Sequence, residues 1–184
     1  DAGCAGVKFQ IFKIDELFSP EILAKSEIHR KRKRWELQVE YIPELANLSH
    51  SLGISFSCTP FYLEAVEILK PYVDFYKIAS YELLWNDLFE KCGFTGKPIV
   101  YSTGMATLDE VENALKGLLN TQTNDITILH CNSAYPTPIK DANLSGINIL
   151  KEMIDTIDNP NKVEINVGYS DHTPGIDASK VALG

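Results

Sequence analysis

The sequence predicts an α/β chain built on a parallel sheet: a (β/α)8 TIM barrel, present as about six β/α units and lacking the first and last strands. Three observations predict it. Strand-like apolar runs alternate with helical patterns about six times, at roughly thirty residues per unit, which is the length of a βαβ repeat. Polar and hydroxyl side chains recur where the strand candidates end, the place where such a barrel keeps its chemistry. The competing doubly wound dinucleotide fold needs a G-x-G-x-x-G turn, and none follows any strand.

Composition sets the outer limits. The chain has 184 residues, 45% of them hydrophobic and 23% charged, enough for one domain with a sizeable core (residues 1–184). A formal net charge of -8 argues against an electrostatic footprint for nucleic acid or an anionic membrane. No apolar run approaches a bilayer span. Asp1 is not Met and the chain begins almost inside a strand, so it reads as part of a longer protein. Cys4, Cys58, Cys92 and Cys131 include no C-x-x-C pair, and a reducing cytosol is the default expectation.

The first strand candidate, residues 5–12, alternates with period two, setting Lys8 and Gln10 on one face and Val7, Phe9 and Ile11 on the other. A lysine inside a buried strand needs an anion; on an edge strand with one wet face it does not. Residues 14–25 read as an irregular excursion, with Ser19-Pro20 as cap and first-turn proline. The basic run from His29 to Arg34 reads as a solvated loop and helix start rather than a nucleic-acid patch. Apolar spacing from Trp35 onward predicts a helix running to Leu52, with Pro43 at an irregularity inside it and Gly53 as the stop.

A second strand is expected over residues 54–60, then a short helix to Leu69, a third strand over 73–80 carrying Lys77, and helix around 84–91. The fourth strand, 97–104, ends in Ser102-Thr103-Gly104. Thr107 and Glu110 have capping-box spacing and open a helix through Leu118. The fifth strand, 125–131, runs into the stiff polar loop 132–138. Helix 147–157 is expected to bury Ile149, Leu150, Met153 and Ile154. An apolar run over 163–167, read as a buried strand, then leads into Gly168-Tyr169-Ser170-Asp171-His172-Thr173, either an ordinary turn or the wall of a site, and a last helix starts at Ala178.

The strand-end residues are Lys8, Gln10, Thr59, Lys77, Ser80, Glu82, Ser102, Ser133, Tyr135, Ser170 and His172. Two lysines with several hydroxyls suit a small phosphorylated carboxylate: the ammoniums supply charge and the hydroxyls fill the remaining lone pairs. His172 and Glu82 are candidate metal-site residues, in an oxygen-rich surround that suits a first-row ion such as manganese. His29 and His50 read as surface residues and His130 as a satisfied core histidine. Cys131 beside His130 makes no dyad, because neighbours on a strand point to opposite faces.

On these residues the chain resembles the sialic acid synthase (N-acetylneuraminate synthase) family. The matching stretches, in order, are Val7-Lys8-Phe9-Gln10, Ser57-Cys58-Thr59-Pro60-Phe61, Tyr76-Lys77-Ile78-Ala79-Ser80 with Glu82, and Ser102-Thr103-Gly104-Met105, then His130-Cys131 with Tyr135-Pro136-Thr137-Pro138, and Gly168 to Thr173. The resemblance implies an enzyme condensing phosphoenolpyruvate with an N-acetylated amino sugar, such as N-acetylmannosamine, to release phosphate. A synthase acting on a sugar phosphate, or a barrel that only binds sugar or phosphate, are the alternatives. By resemblance Lys8, Thr59, Lys77, Ser80, Ser102, Ser133 and Ser170 hold phosphoenolpyruvate, with Gln10 and Tyr135 as further members of the pocket. Glu82 and Lys77 take the catalytic roles, and His172 is the first of two metal histidines, with Mn2+ as the metal the resemblance implies. The second histidine and an antifreeze-like domain, which closes the partner's site in a cytoplasmic homodimer, are expected beyond residue 184. Asn132 departs from the family's common threonine, and Ser133 from the asparagine of some members.

Overall fold

A computed structural model describes residues 3–183. Helices alternate with six strands that run parallel wherever their register is defined, in two compact units, Asp1–Lys77 and Ile78–Gly184.

In the first unit β1 (Gly6–Ile11) leads into three short helices, α1 (Ile14–Leu17), α2 (Pro20–Lys25) and α3 (Glu27–Lys31). The Ser19 hydroxyl accepts the Ile22 amide and Pro20 opens α2, as the sequence predicts. The helix expected from Trp35 does not form. Residues 32–35 and 39–41 make separate 310 turns, and α4 (Ile42–Ser51) begins only at Ile42. Pro43 sits in the first turn of α4, where its missing N–H costs nothing, so it marks a helix start rather than an interior irregularity. β2 (Ser55–Pro60), α5 (Leu63–Leu69) and β3 (Phe75–Ile78) complete the order β1-β2-β3.

β2 is buried on both faces, as a central parallel strand should be. Phe56 and Cys58 join Val66, Leu69 and Tyr76 in the core, each large side chain contributing roughly 1.5–3 kcal/mol by leaving water. The Tyr76 hydroxyl donates to the Val66 carbonyl at 2.7 Å, so its burial strands no donor. β1 has its odd side chains half-buried or buried and Lys8 and Gln10 exposed. Lys8 therefore sits on the wet face of an edge strand.

In the second unit come α6 (Asn86–Gly93), β4 (Ile99–Ser102), α7 (Leu108–Leu119), β5 (Asp125–Cys131), α8 (Gly146–Thr156), β6 (Glu164–Ser170) and α9 (Asp177–Ala182), with strand order β4-β5-β6. The capping box at Thr107 and Glu110 is complete. Ile99, Tyr101, Ile126, Ile128, Leu115 and Leu118 are fully buried. Two expectations are corrected. Ile149 is 46% exposed, because α8 buries the narrower stripe Gly146, Leu150 and Met153 and leaves Ile154 half-covered. β6 has no buried residue, with Glu164 and Asn166 exposed and the others half-buried, and its register is defined against β5.

Candidate active site

In the first unit, register gathers the predicted residues onto one sheet face. Lys8 pairs with Ser57 and Gln10 with Thr59, and paired residues of adjacent strands share a face. The pairs Ser57↔Phe75 and Cys58↔Tyr76, carried one residue further, bring Lys77 beside Thr59. Lys8, Gln10, Thr59 and Lys77 thus form one polar patch. The Ser57 hydroxyl is committed to the Phe75 carbonyl at 2.8 Å. Thr59 is 1% exposed and its Oγ1 has no hydrogen-bond partner among the described residues, the state expected of a hydroxyl that bonds a ligand. Desolvation pushes the Lys8 pKa down, so bringing an anion to it restores the charged form. Cys58, on the opposite face, is pushed up to about 12 by burial, with Lys8 opposing the shift; it is a packed thiol and not a nucleophile.

In the second unit the candidate residues converge around Gly104. The Gly104 N–H donates to Ser80 Oγ at 3.0 Å. A Cβ at Gly104 would overlap Ser133 Oγ and meet Ser80 Oγ at 3.0 Å. Two hydroxyls from separate connections therefore point at one small space that only glycine leaves open. Ser102, 3% exposed, ends β4 just before it, and Glu82, 9% exposed, ends the 310 turn that Ser80 begins. Sequence reasoning found both serines and missed Gly104, although Thr103-Gly104 at a strand end is the signal that could have revealed it. Ser170, half-buried, closes β6 opposite Cys131.

His172 is held from three directions by the loop that follows β5. Its Nδ1 lies 2.6 Å from the Asn132 carbonyl oxygen. A carbonyl can only accept, so Nδ1 carries the proton and Nε2 presents a lone pair. The Tyr135 ring, 73% exposed, lies against the imidazole with centroids 4.0 Å apart. The Thr137 amide donates to the His172 carbonyl at 2.9 Å. Cys131 Sγ stands 3.9 Å from Nδ1. As expected, Cys131 does not pair with His130, yet it neighbours the histidine 41 residues away, a contact no local pattern reveals. Because the Nδ1 proton is given to Asn132, this pair is not a thiolate–imidazole dyad. His130 is the satisfied histidine expected, with Nε2 at 2.9 Å from the Ala142 carbonyl and its ring stacked on Tyr169.

Of the two readings of Gly168–Thr173, the turn is present and is made by Asp171. Asp171 is the turn: Oδ1 accepts the Thr173 amide at 2.7 Å and the Tyr169 hydroxyl at 3.3 Å, while Oδ2 accepts the Ser179 hydroxyl. The Ser179 bond leads in holding its carboxyl at about 2, below the usual carboxylate range. Among the described residues no three His, Cys, Asp or Glu side chains converge into a metal cage, and no helix is long and apolar enough to cross a membrane.

The NeuB family model matches residues 1–184. The N,N'-diacetyllegionaminic acid synthase of Campylobacter jejuni is 34% identical over all of this chain and 57% of its own length. The pseudaminic acid synthase of Helicobacter pylori is 35% identical over 82% of this chain and 42% of its own. The crystal structure of N-acetylneuraminic acid synthetase from Leptospira borgpetersenii, solved with citrate, superposes with a TM-score of 0.84 at 30% identity, over 98% of this chain and 59% of that one. The chain spans about half the length of the curated relatives it matches. A fold of parallel strands alternating with helices, matched at that score, is the (β/α) barrel of the sialic acid synthases. The chain belongs to the NeuB family.

Proposed function

We propose that the intact protein condenses phosphoenolpyruvate with an N-acetylated amino sugar to make a nonulosonic acid, releasing inorganic phosphate. The convergence of Ser80 and Ser133 over Gly104 carries this proposal. It is a ready cradle for an acceptor-only oxyanion, because each hydroxyl can turn its hydrogen inward. Lys8, Thr59 and Lys77 supply cationic and hydroxyl groups of the kind a phosphorylated carboxylate needs. In the reaction C3 of phosphoenolpyruvate bonds to the sugar's aldehyde carbon, water adds at C2, and phosphate leaves with cleavage of its C–O bond.

A divalent metal, Mn2+ foremost, fits His172, whose Nε2 lone pair is fixed by the Nδ1 bond to Asn132. When bound, it would polarise the sugar's aldehyde oxygen as a Lewis acid. One imidazole is one ligand, and the remaining ligands would come from the sugar, from water and from residues elsewhere in the protein. Glu82, buried at the turn after β3, is suited to the hydroxyls or protons of the sugar. Action in the cytoplasm as a homodimer belongs to the same proposal.

The test is release of inorganic phosphate by the intact protein from phosphoenolpyruvate, Mn2+ and a panel of N-acetylated amino sugars. Release that depends on a sugar supports the enzyme. Binding of sugar or phosphate with no release from any pair identifies a barrel that kept the pocket and lost the chemistry.

A further inference from the structure

Ile14 and Ile42 are both buried, yet none of residues 15–41 between them is. The helices α2 and α3 and the 310 turn over 32–35 therefore form without burying a side chain. What holds this stretch together is polar and local. Lys31 pairs with Glu27 and Lys33 with Asp15, all four exposed, and Arg30 donates to the Leu23 and Ala24 carbonyls. Among the described residues, the side-chain hydrogen bonds and ion pairs of the stretch run within residues 13–41. One of them joins its two ends: Glu36 Oε1 accepts the Ile14 amide at 2.7 Å. The contrast is with α5, which buries Ala65, Val66 and Leu69.

Exposed ion pairs add little stability, and here no apolar burial backs them. The stretch thus belongs to the low end of local stability, from which moving elements are drawn. It also has something to move over. Residues 34–37 form one wall of an open cleft of about 560 Å³, and the other wall is β1 with Lys8 and Gln10. We infer that residues 15–41 are a lid, hinged at Ile14 and Ile42 and clasped at its base by Glu36, that closes over phosphoenolpyruvate held at the Lys8–Gln10 face. Closure sheds water from the cleft and so strengthens the attraction of Lys8 for the anion. The inference rests on the proposed condensation for the identity of its ligand.

The test is hydrogen–deuterium exchange of the intact protein, free and saturated with phosphoenolpyruvate. In the free protein, peptides over 15–41 should exchange about 10²-fold or more faster than the α5 peptide, and phosphoenolpyruvate should slow them by about 10-fold or more. Slow exchange in the free protein, or no change on saturation, would overturn the lid. Glu36→Ala, which opens the clasp, should weaken phosphoenolpyruvate binding about 10-fold in calorimetry, the scale of a hydrogen bond to a charged group, with the thermal midpoint unchanged. Glu36→Gln keeps an acceptor oxygen for the Ile14 amide and should restore the affinity. Wild-type affinity in Glu36→Ala, or a loss that Glu36→Gln does not restore, would overturn the role of Glu36. Phosphate release with 15–41 unresponsive refutes the lid alone. Protection of 15–41 without release from any sugar refutes the condensation alone, and failure to bind phosphoenolpyruvate refutes both.

Discussion

Two polar connections follow strands in this molecule, and they spend their polarity in opposite ways. The excursion after β1 is dense in charge, yet Lys31, Lys33 and Arg30 are tied to partners within the same excursion, 4, 18 and 6 residues off. The loop 132–138 after β5 has no charged side chain, yet it fixes the tautomer, ring face and main chain of His172 across about forty residues of sequence. Charge density marks solvated surface. A site is marked by groups bound on one side and left open on the other, as Ser80 and His172 are.

The sharpest way to break the contrast is Gly104→Ala. A methyl in the cradle should cut turnover by about 10²-fold or more, the scale of losing an oxyanion donor, while the thermal midpoint moves by only a few degrees. Ser133→Ala, which removes a hydroxyl without adding bulk, should lower turnover in the same direction. Wild-type turnover in both would detach the cradle from the reaction. Next in size is Tyr135. Tyr135→Ala should weaken Mn2+ binding by about 10-fold, as loss of a supporting neighbour to a metal histidine does, and Tyr135→Phe, which keeps the ring, should retain it; isothermal calorimetry distinguishes the two, and equal affinity in both would leave the ring contact without a role.

A smaller effect concerns Asp171. Its folded pKa of about 2 lies below the ordinary 3.8, so it favours the unfolded state's proton uptake in acid. Its stabilisation is complete above pH about 4 and disappears as pH falls towards 2. Asp171→Asn should flatten that part of an acid-unfolding curve, and an unchanged curve would remove the turn from the stability of the β6 end. The smallest effect should come from Lys33→Gln: an exposed ion pair is lost, and the melting temperature should stay within about 2 °C. A larger drop would mean that the excursion's pairs are structural after all.

What the sequence made legible follows the range of the forces involved. Thr107 and Glu110 are three residues apart and their capping box is read directly. Period-two alternation put Lys8 and Gln10 on one face without any knowledge of β2. The helix from Trp35 was misread because apolar spacing says nothing of Glu36, whose carboxylate is drawn 22 residues back to the Ile14 amide, and because Pro43 starts α4 rather than bending it. His172 was legible as a residue. Its tautomer was not, since a main-chain carbonyl sets it and carbonyls have no letter in a sequence.

That last contact bears on how the family can vary. The Asn132 side chain turns away to donate to the Asp141 carbonyl at 2.9 Å. What it lends to His172 is the peptide oxygen. Ser80 likewise has its lone pair claimed by the peptide N–H of Gly104, which releases its hydrogen to the cradle. One backbone acceptor makes a nucleobasic histidine and one backbone donor makes a proton-giving serine, so the opposite polarities of the two subsites are inherited with the chain trace. Side-chain drift at position 132 can proceed without reversing either.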